Sequence, residues 1–197
     1  MIQESRSLEV ALGARSYPIH IGAGLIERAH ELLAPHIPLR RTVIVTDENL
    51  ALTRHPLQLV AALERGGIAA RTCVLPAGEA TKSWRFLEQV VDELLSYGME
   101  RRSTVVALGG GVIGDLVGFA AAITLRGLDF VQVPTTLLSQ VDSAVGGKTG
   151  INTGHGKNLV GAFHQPRAVV IDTAVLDGLP VRELRAGYAE IAKYGVI

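Results

Sequence analysis

Apolar residues along the chain fall into two alternating patterns, short continuous runs and longer stretches with a three-to-four-residue period. The runs predict strands and the periodic stretches predict amphipathic helices. Residues 8–12 and 17–21 read as two short strands on either side of Gly13, a candidate hairpin. Residues 25–33 have helical spacing and stop before Pro35. Residues 42–46 form a strand of the buried type, and 57–65 a helix ended by Gly66 and Gly67. A strand at 70–75 and a long helix at 81–97, ended by Gly98, follow. The alternation continues with a strand at 104–108, a helix at 112–125, a strand at 130–133 and a helix at 135–144. Residues 146–161 break the rhythm and read as a polar, glycine-rich loop. The last strand is 168–171, and Pro180 suits the first turn of a helix that runs from Val181 to Ile197. The expected fold class is α/β, with a Rossmann-like, mainly parallel sheet flanked by helices. Ligands then bind beyond the carboxyl ends of the strands.

Composition narrows the function classes. The 197 residues correspond to roughly 1.3 average domains. Nineteen Lys and Arg against nineteen Asp and Glu leave no net charge, and no basic run offers a footprint for nucleic acid or an anionic membrane. The apolar share of 48% supports a sizeable core. A single cysteine, Cys73, forms no internal disulfide and fits a reducing cytoplasm. The first ten residues carry no apolar leader core. The longest apolar stretch, residues 112–125, is interrupted by Asp115 and falls short of the ~20 residues a membrane helix needs. Glycine is the anomaly: many of the 22 lie between Gly109 and Gly161, where backbone can do the binding.

Candidate chemistry sits just after the strands. Gly109, Gly111 and Gly114 match G-x-G-x-x-G between a strand and a helix, and Asp115 follows them. Absent side chains let a pyrophosphate reach the N–H groups at the positive end of a helix, although a bare tight turn has the same spelling. Asp129 has the spacing of a ribose acceptor but precedes a strand, which assigns it to the surface. Asp47 can take a ribose diol or cap a helix. Glu79 and Lys82 open the long helix, and Thr135 and Thr136 can cap the next one or face a ligand. The densest cluster is Asp142, Lys148, Lys157 and Asn158, with Arg126 near in sequence; two lysines in a glycine-rich segment suit an anion between them. Glu190 and Lys193 share a helix face and can form an ordinary ion pair. The six histidines show no ligand spacing, and Ser139, Ser143 and Cys73 have no visible base.

Four strings then carry a resemblance: GGGVIGDLVGFAA, RGLDFVQVPTTLLSQVDSAVGGKTGIN, GKNLVGAFHQP and GYAEIAKYG. From about Thr42 onward the chain resembles the 3-dehydroquinate synthase family, within the sugar-phosphate cyclases. The glycerol dehydrogenase-like family shares only the GGG…D element. The resemblance implies an NAD-dependent, divalent-metal lyase (zinc or cobalt) and a cytoplasmic homodimer. Its two domains would be an NAD-binding α/β domain, residues 1–179 here, and a helical domain whose first helix is 180–197. It implies conversion of 3-deoxy-D-arabino-heptulosonate 7-phosphate to 3-dehydroquinate and phosphate, with NAD⁺ transiently oxidising the C5 hydroxyl.

Carried over residue by residue, Asp47, Glu79 and Lys82 match positions on the nucleotide's ribose and adenine side. Gly111, Val112, Ile113, Gly114 and Asp115 match the pyrophosphate turn, and Thr135 and Thr136 further cofactor contacts. Lys148, Lys157 and Asn158 match positions lining the cofactor and substrate pocket. Arg126 matches one that reaches substrate phosphate from the neighbouring subunit. Asp142 and Lys193 match positions near the hydroxyls being oxidised, and Glu190 matches a metal ligand. Ala77 and Thr81 depart from the family, standing where an acidic residue and an aromatic are common. The resemblance covers only about the N-terminal half of the family, without its two metal-binding histidines. The expectation is a chain that folds around its sheet and does not catalyse alone, since a catalytic zinc needs about three protein ligands. A cyclase for another sugar phosphate, a polyol dehydrogenase and a non-catalytic NAD-binding module are the competing readings.

Overall fold

The structure, a computed structural model, describes residues 5–197; residues 1–4, part of the stretch read as lacking a leader core, lie outside it. Seven strands make one sheet: β1 (Arg6–Val10), β2 (Tyr17–Gly22), β3 (Arg41–Asp47), β4 (Ala69–Leu75), β5 (Thr104–Gly109), β6 (Asp129–Pro134) and β9 (Val169–Asp172). Their order is β1-β2-β9-β6-β5-β3-β4, and every pairing is parallel except the β1–β2 hairpin expected around Gly13. All six residues of β5 are buried, as the apolar run predicts for a central strand covered on both faces.

Helices α1 (Ala29–Leu33) and α3 (His55–Arg65) cover one face, burying Leu33, Leu59 and Leu63 against Ile44, Val106 and Val131. Helices α4 (Trp84–Ser96) and α5 (Gly111–Ile123) cover the other, with Leu87, Val90, Leu116 and Val117 against Val45, Val105 and Phe130. The connections after β3 and after β5 lead to opposite faces and opposite directions in the sheet. The carboxyl ends of β3 and β5 therefore flank a topological switch point.

Several expected boundaries shift, each for a local reason. The helix expected at 25–33 is a 3₁₀ turn, Ile26–Arg28, followed by α1. Asp172, at the end of β9, accepts the N–H groups of Gly24 and Ile26 at 2.9 Å each and holds this turn from outside. The helix expected from Thr81 begins at Trp84, because the Thr81 hydroxyl is buried and donates to the Pro76 carbonyl at 2.6 Å. The helix expected at 135–144 is shorter and contains a π-turn, Ser139–Ser143. There the Gln140 amide donates to the carbonyls of Pro134 and Asp172 at 3.1 Å each.

The largest correction concerns residues 146–161, expected as a loop. They form a second, antiparallel sheet of β7 (Lys148–Thr153) and β8 (Gly156–Phe163). Gly150 stands opposite Gly161, and a Cβ on Gly150 would come within 2.5 Å of the Val160 carbonyl, so the glycines serve close pairing of two strands. Ile151 is buried in the core shared with α5. Helix α6 (Val181–Val196) fully buries only Gly187, against Leu137 and Leu138, half-buries Leu184, and exposes Val181, Tyr188, Ile191, Tyr194 and Val196.

Asp172 is 3% exposed and also accepts from the Ala174 N–H at 3.0 Å. Asp172→Ala leaves three backbone donors without that partner, and the expected loss is about 3 kcal/mol in urea unfolding. A loss below about 1 kcal/mol would show that water replaces the carboxylate.

Candidate functional site

The glycine corner lies at the switch point. β5 ends at Gly109, and α5 starts after Gly110 with no side chain capping its first turn. A helix start leaves its first N–H groups without intrahelical partners and carries partial positive charge. A Cβ on Gly110 would stand 3.1 Å from Thr136 Cγ2, and one on Gly111 3.0 Å from Ser143 Oγ. The corner is thus narrow, amide-lined and free of its own side chains. Ile113 is buried and Val112 half-buried, and buried Gly114 gives its N–H to the Gly110 carbonyl at 3.0 Å, so the free amides of this turn are those before Gly114.

One turn along α5, Asp115 shares the face of Gly111. It pairs with Lys82, whose ammonium also donates to Asn158 Oδ1. Lys82 is only 5% exposed, which makes this the most enclosed ion pair in the described residues. Burial pushes the Asp115 carboxyl above its ordinary value, against the pull of the Lys82 hydrogen bond and charge. Asn158 holds φ 57°, a left-handed conformation that asparagine tolerates better than most residues. A cleft of about 450 Å³ opens beside this node, lined by Asp115, Asp142, Ser143, Lys148, Gly150 and Asn158 among others. Lys148 Nζ lies 3.3 Å from Asp142 Oδ1, and the Tyr194 hydroxyl of α6 reaches the same oxygen at 3.4 Å.

The remaining sequence candidates divide into those near this cleft and those elsewhere. Glu79 accepts from Asn152 Nδ2 at 2.7 Å and faces Lys157 at 3.6 Å. Lys148 and Lys157 are exposed and held by different carboxylates, Asp142 and Glu79; the enclosed lysine is Lys82. Asp47 accepts the Leu50 N–H at 3.0 Å and caps the short helix α2 (Glu48–Ala51), as its capping reading expects. Thr136 engages Ser139 through its hydroxyl and N–H, and buried Thr135 donates its N–H to the Gly109 carbonyl at 3.0 Å. Glu190 and Lys193 bond to each other as the sequence spacing suggests. Arg126 is exposed in the turn Thr124–Arg126 that follows α5, at the opposite end of that helix from the glycine corner; the helix itself spans about 20 Å at 1.5 Å rise per residue. Asp129 pairs with Arg167 at 2.7 Å, away from the corner.

Asn152 and Ser143 join the cleft surroundings without having been singled out for the site. Lys148, Gly150 and Asn152 share one side of β7 by its two-residue period, a signal readable only once 148–153 is taken as a strand. Cys73 is buried and its thiol is pushed up to about 11 by burial, so it is no nucleophile. No group of three or more metal-ligating side chains occurs among the described residues, and no described helix is long and apolar enough to cross a membrane.

A mainly parallel sheet with helices on both faces and an uncapped glycine corner at its switch point defines a doubly wound α/β domain. Residues 72–186 match the family described as 3-dehydroquinate synthase N-terminal, and the chain belongs to that family. It is 63% identical over 194 residues to a 3-dehydroquinate synthase of Rhodospirillum rubrum, covering 98% of this chain and 50% of the relative. Against the Zymomonas mobilis 3-dehydroquinate synthase it is 53% identical, covering 100% and 52%. The chain therefore spans about half the length of the curated relatives it matches. Among solved structures, a 2-deoxy-scyllo-inosose synthase complexed with carbaglucose-6-phosphate, NAD⁺ and Co²⁺ superposes with a TM-score of 0.84 at 27% identity, over 95% of this chain and 50% of that one. The ValA 2-epi-5-epi-valiolone synthase of Streptomyces hygroscopicus subsp. jinggangensis, with NAD⁺ and Zn²⁺ bound, gives 0.82 at 34%, over 92% and 50%.

Replacing Lys82 by Met strands Asp115 in its enclosed position. The expected cost is about 3 kcal/mol at pH 7.5 in urea unfolding. A carboxyl raised in the folded state penalises folding above its folded pKa, and the penalty fades as pH falls toward the ordinary carboxylate range. The deficit of Lys82→Met relative to the unsubstituted protein should accordingly shrink at pH 5. An equal deficit at both pH values would mean that Asp115 is not left charged.

Proposed function

We propose that this chain forms the NAD-binding part of a 3-dehydroquinate synthase, a carbon–oxygen lyase of the shikimate pathway. The reaction converts 3-deoxy-D-arabino-heptulosonate 7-phosphate to 3-dehydroquinate and phosphate. The observation that carries this reading is the uncapped amide terminus of α5 opening beside the cleft of Asp115, Asp142, Lys148 and Asn158. Identity of 53–63% to 3-dehydroquinate synthases, against 27–34% to cyclases of other sugar phosphates, favours this substrate over theirs.

The corner fits a dinucleotide because side chains there would occupy the space a diphosphate needs. The N–H groups of Gly111, Val112 and Ile113 hold the diphosphate in this reading, while Gly114, whose N–H is given to the Gly110 carbonyl at 3.0 Å, contributes by having no side chain. Asp47 and Glu79 take ribose hydroxyls, and Thr135 and Thr136 line the cofactor's path. Lys82 keeps Asp115 and Asn158 fixed. NAD⁺ held by this corner would supply a reversible hydride acceptor for C5. Asp142 takes the hydroxyl proton at its carboxylate, and Lys148 beside it stabilises the negative charge that develops. Lys157 borders the cofactor through Glu79, and Lys193 reaches the hydroxyls from α6. Arg126, remote from its own corner, serves the substrate phosphate of a second protomer in a homodimer.

The residues present do not make a metal site: Glu190 is one carboxylate, bonded to Lys193, and no cluster surrounds it among the described residues. A neutral chain with one unpaired cysteine suits the cytoplasm.

Calorimetric titration tests the reading. NAD⁺ should bind saturably, and Gly111→Val, which pushes a branched side chain toward Ser143, should weaken binding at least about tenfold, or 1.4 kcal/mol. Unchanged affinity in that variant would overturn the corner as the diphosphate site. Within a polypeptide of the relatives' full length, the same residues should release phosphate from the heptulosonate phosphate without net NADH. Accumulating NADH would instead indicate a polyol dehydrogenase.

A further inference from the structure

Asn152 ties the β7–β8 hairpin to the segment 79–82, some seventy residues earlier in the chain. Its backbone N–H donates to the Lys82 carbonyl at 2.8 Å. Its side-chain Nδ2 donates to Glu79 Oε1 at 2.7 Å, and its Oδ1 accepts the N–H of Asn158 at 3.0 Å. The amide has only one workable orientation, since a carboxylate accepts and a backbone N–H donates. We infer that Asn152 is a positioning residue for the cofactor, fixing Glu79 through one end of its amide and the left-handed Asn158 through the other.

The inference rests on the reading above, in which Glu79 and Asn158 face NAD. Its physical content is separate. Glu79 stands at the exposed start of the segment before α4, and its contacts with Asn152 and Lys157 both fall on Oε1. Asn152 is the closer partner, a neutral donor that leaves the carboxylate its charge and its second oxygen. Asn158 must hold φ 57° to offer Oδ1 to Lys82 while its N–H turns to Asn152. Loss of the Asn152 amide thus frees one carboxylate and loosens one strained backbone position beside the buried lysine.

The test is a double-substitution cycle read by NAD⁺ calorimetry. Asn152→Asp has the same shape and still accepts from Asn158, but it sets a second carboxylate against Glu79. In the unsubstituted background it should weaken NAD⁺ binding about tenfold. Combined with Glu79→Gln, whose introduced amide can donate to the introduced carboxylate, the same change should cost less than about threefold relative to Glu79→Gln alone. A merely structural role would lower affinity by the same factor in both backgrounds, and that result, or no loss in either, overturns the inference.

If Asn152→Asp does not fold, hydrogen exchange of the Asn152 side-chain amide in the unsubstituted protein decides. Protection that increases with NAD⁺ supports the role, and an amide unprotected in both states overturns it. Absence of NAD⁺ binding by the unsubstituted protein would overturn the functional reading itself, and this inference with it.

Discussion

Burying an ammonium group costs several kcal/mol unless acceptors surround it. Lys82 is enclosed at the carboxyl edge of the sheet, and the acceptors that make this tolerable come from different places: Asp115 from α5 and Asn158 from β8. Their spacing is therefore coupled. The segment before α4, the first turns of α5 and the β7–β8 hairpin cannot shift independently without leaving a charge unpaired in a poorly solvated place. The uncapped amides of α5 and the cleft beside them inherit their geometry from this node.

The same constraint explains the glycines. Between Gly109 and Gly111 they keep side chains out of a corner that Thr136 and Ser143 already crowd. In the hairpin, Gly150 and Gly161 allow two strands to meet more closely than side chains would permit. One composition signal thus has two physical causes. The first concerns space for a ligand, and the second concerns backbone packing of the wall that holds Asn152 and Asn158.

The central strands were readable because apolar runs such as those of β3 and β5 leave few alternatives to burial on both sheet faces. The hairpin at 146–161 was not, because its polar and glycine residues carry little strand propensity and its pairing is decided across the turn. Among candidate site residues, the glycine corner followed from spacing and context. Asp115, Asp142, Lys148 and Asn158 do line one cleft. Glu190 and Lys193 form the ion pair that their separation allows, and Asp47 and Thr136 act as caps. Lys82, which the sequence places at a helix opening and the resemblance on the nucleotide side, is the enclosed cation of the site. Asp172 and Asn152 carry no local signal, because Asp172 holds the N–H groups of Gly24 and Ile26 and Asn152 holds the Glu79 carboxylate, all distant in sequence.

By itself the sequence determined the α/β class, the order of the main strands and helices and the position of the glycine corner, since periodicity and turn chemistry are local properties of the chain. Only the tertiary structure decided which lysine is enclosed, how far Arg126 stands from its own corner, and that Asn152 bridges Glu79 and Asn158. Burial and hydrogen-bond partnership depend on which distant segments meet, and no spacing within a single segment encodes that.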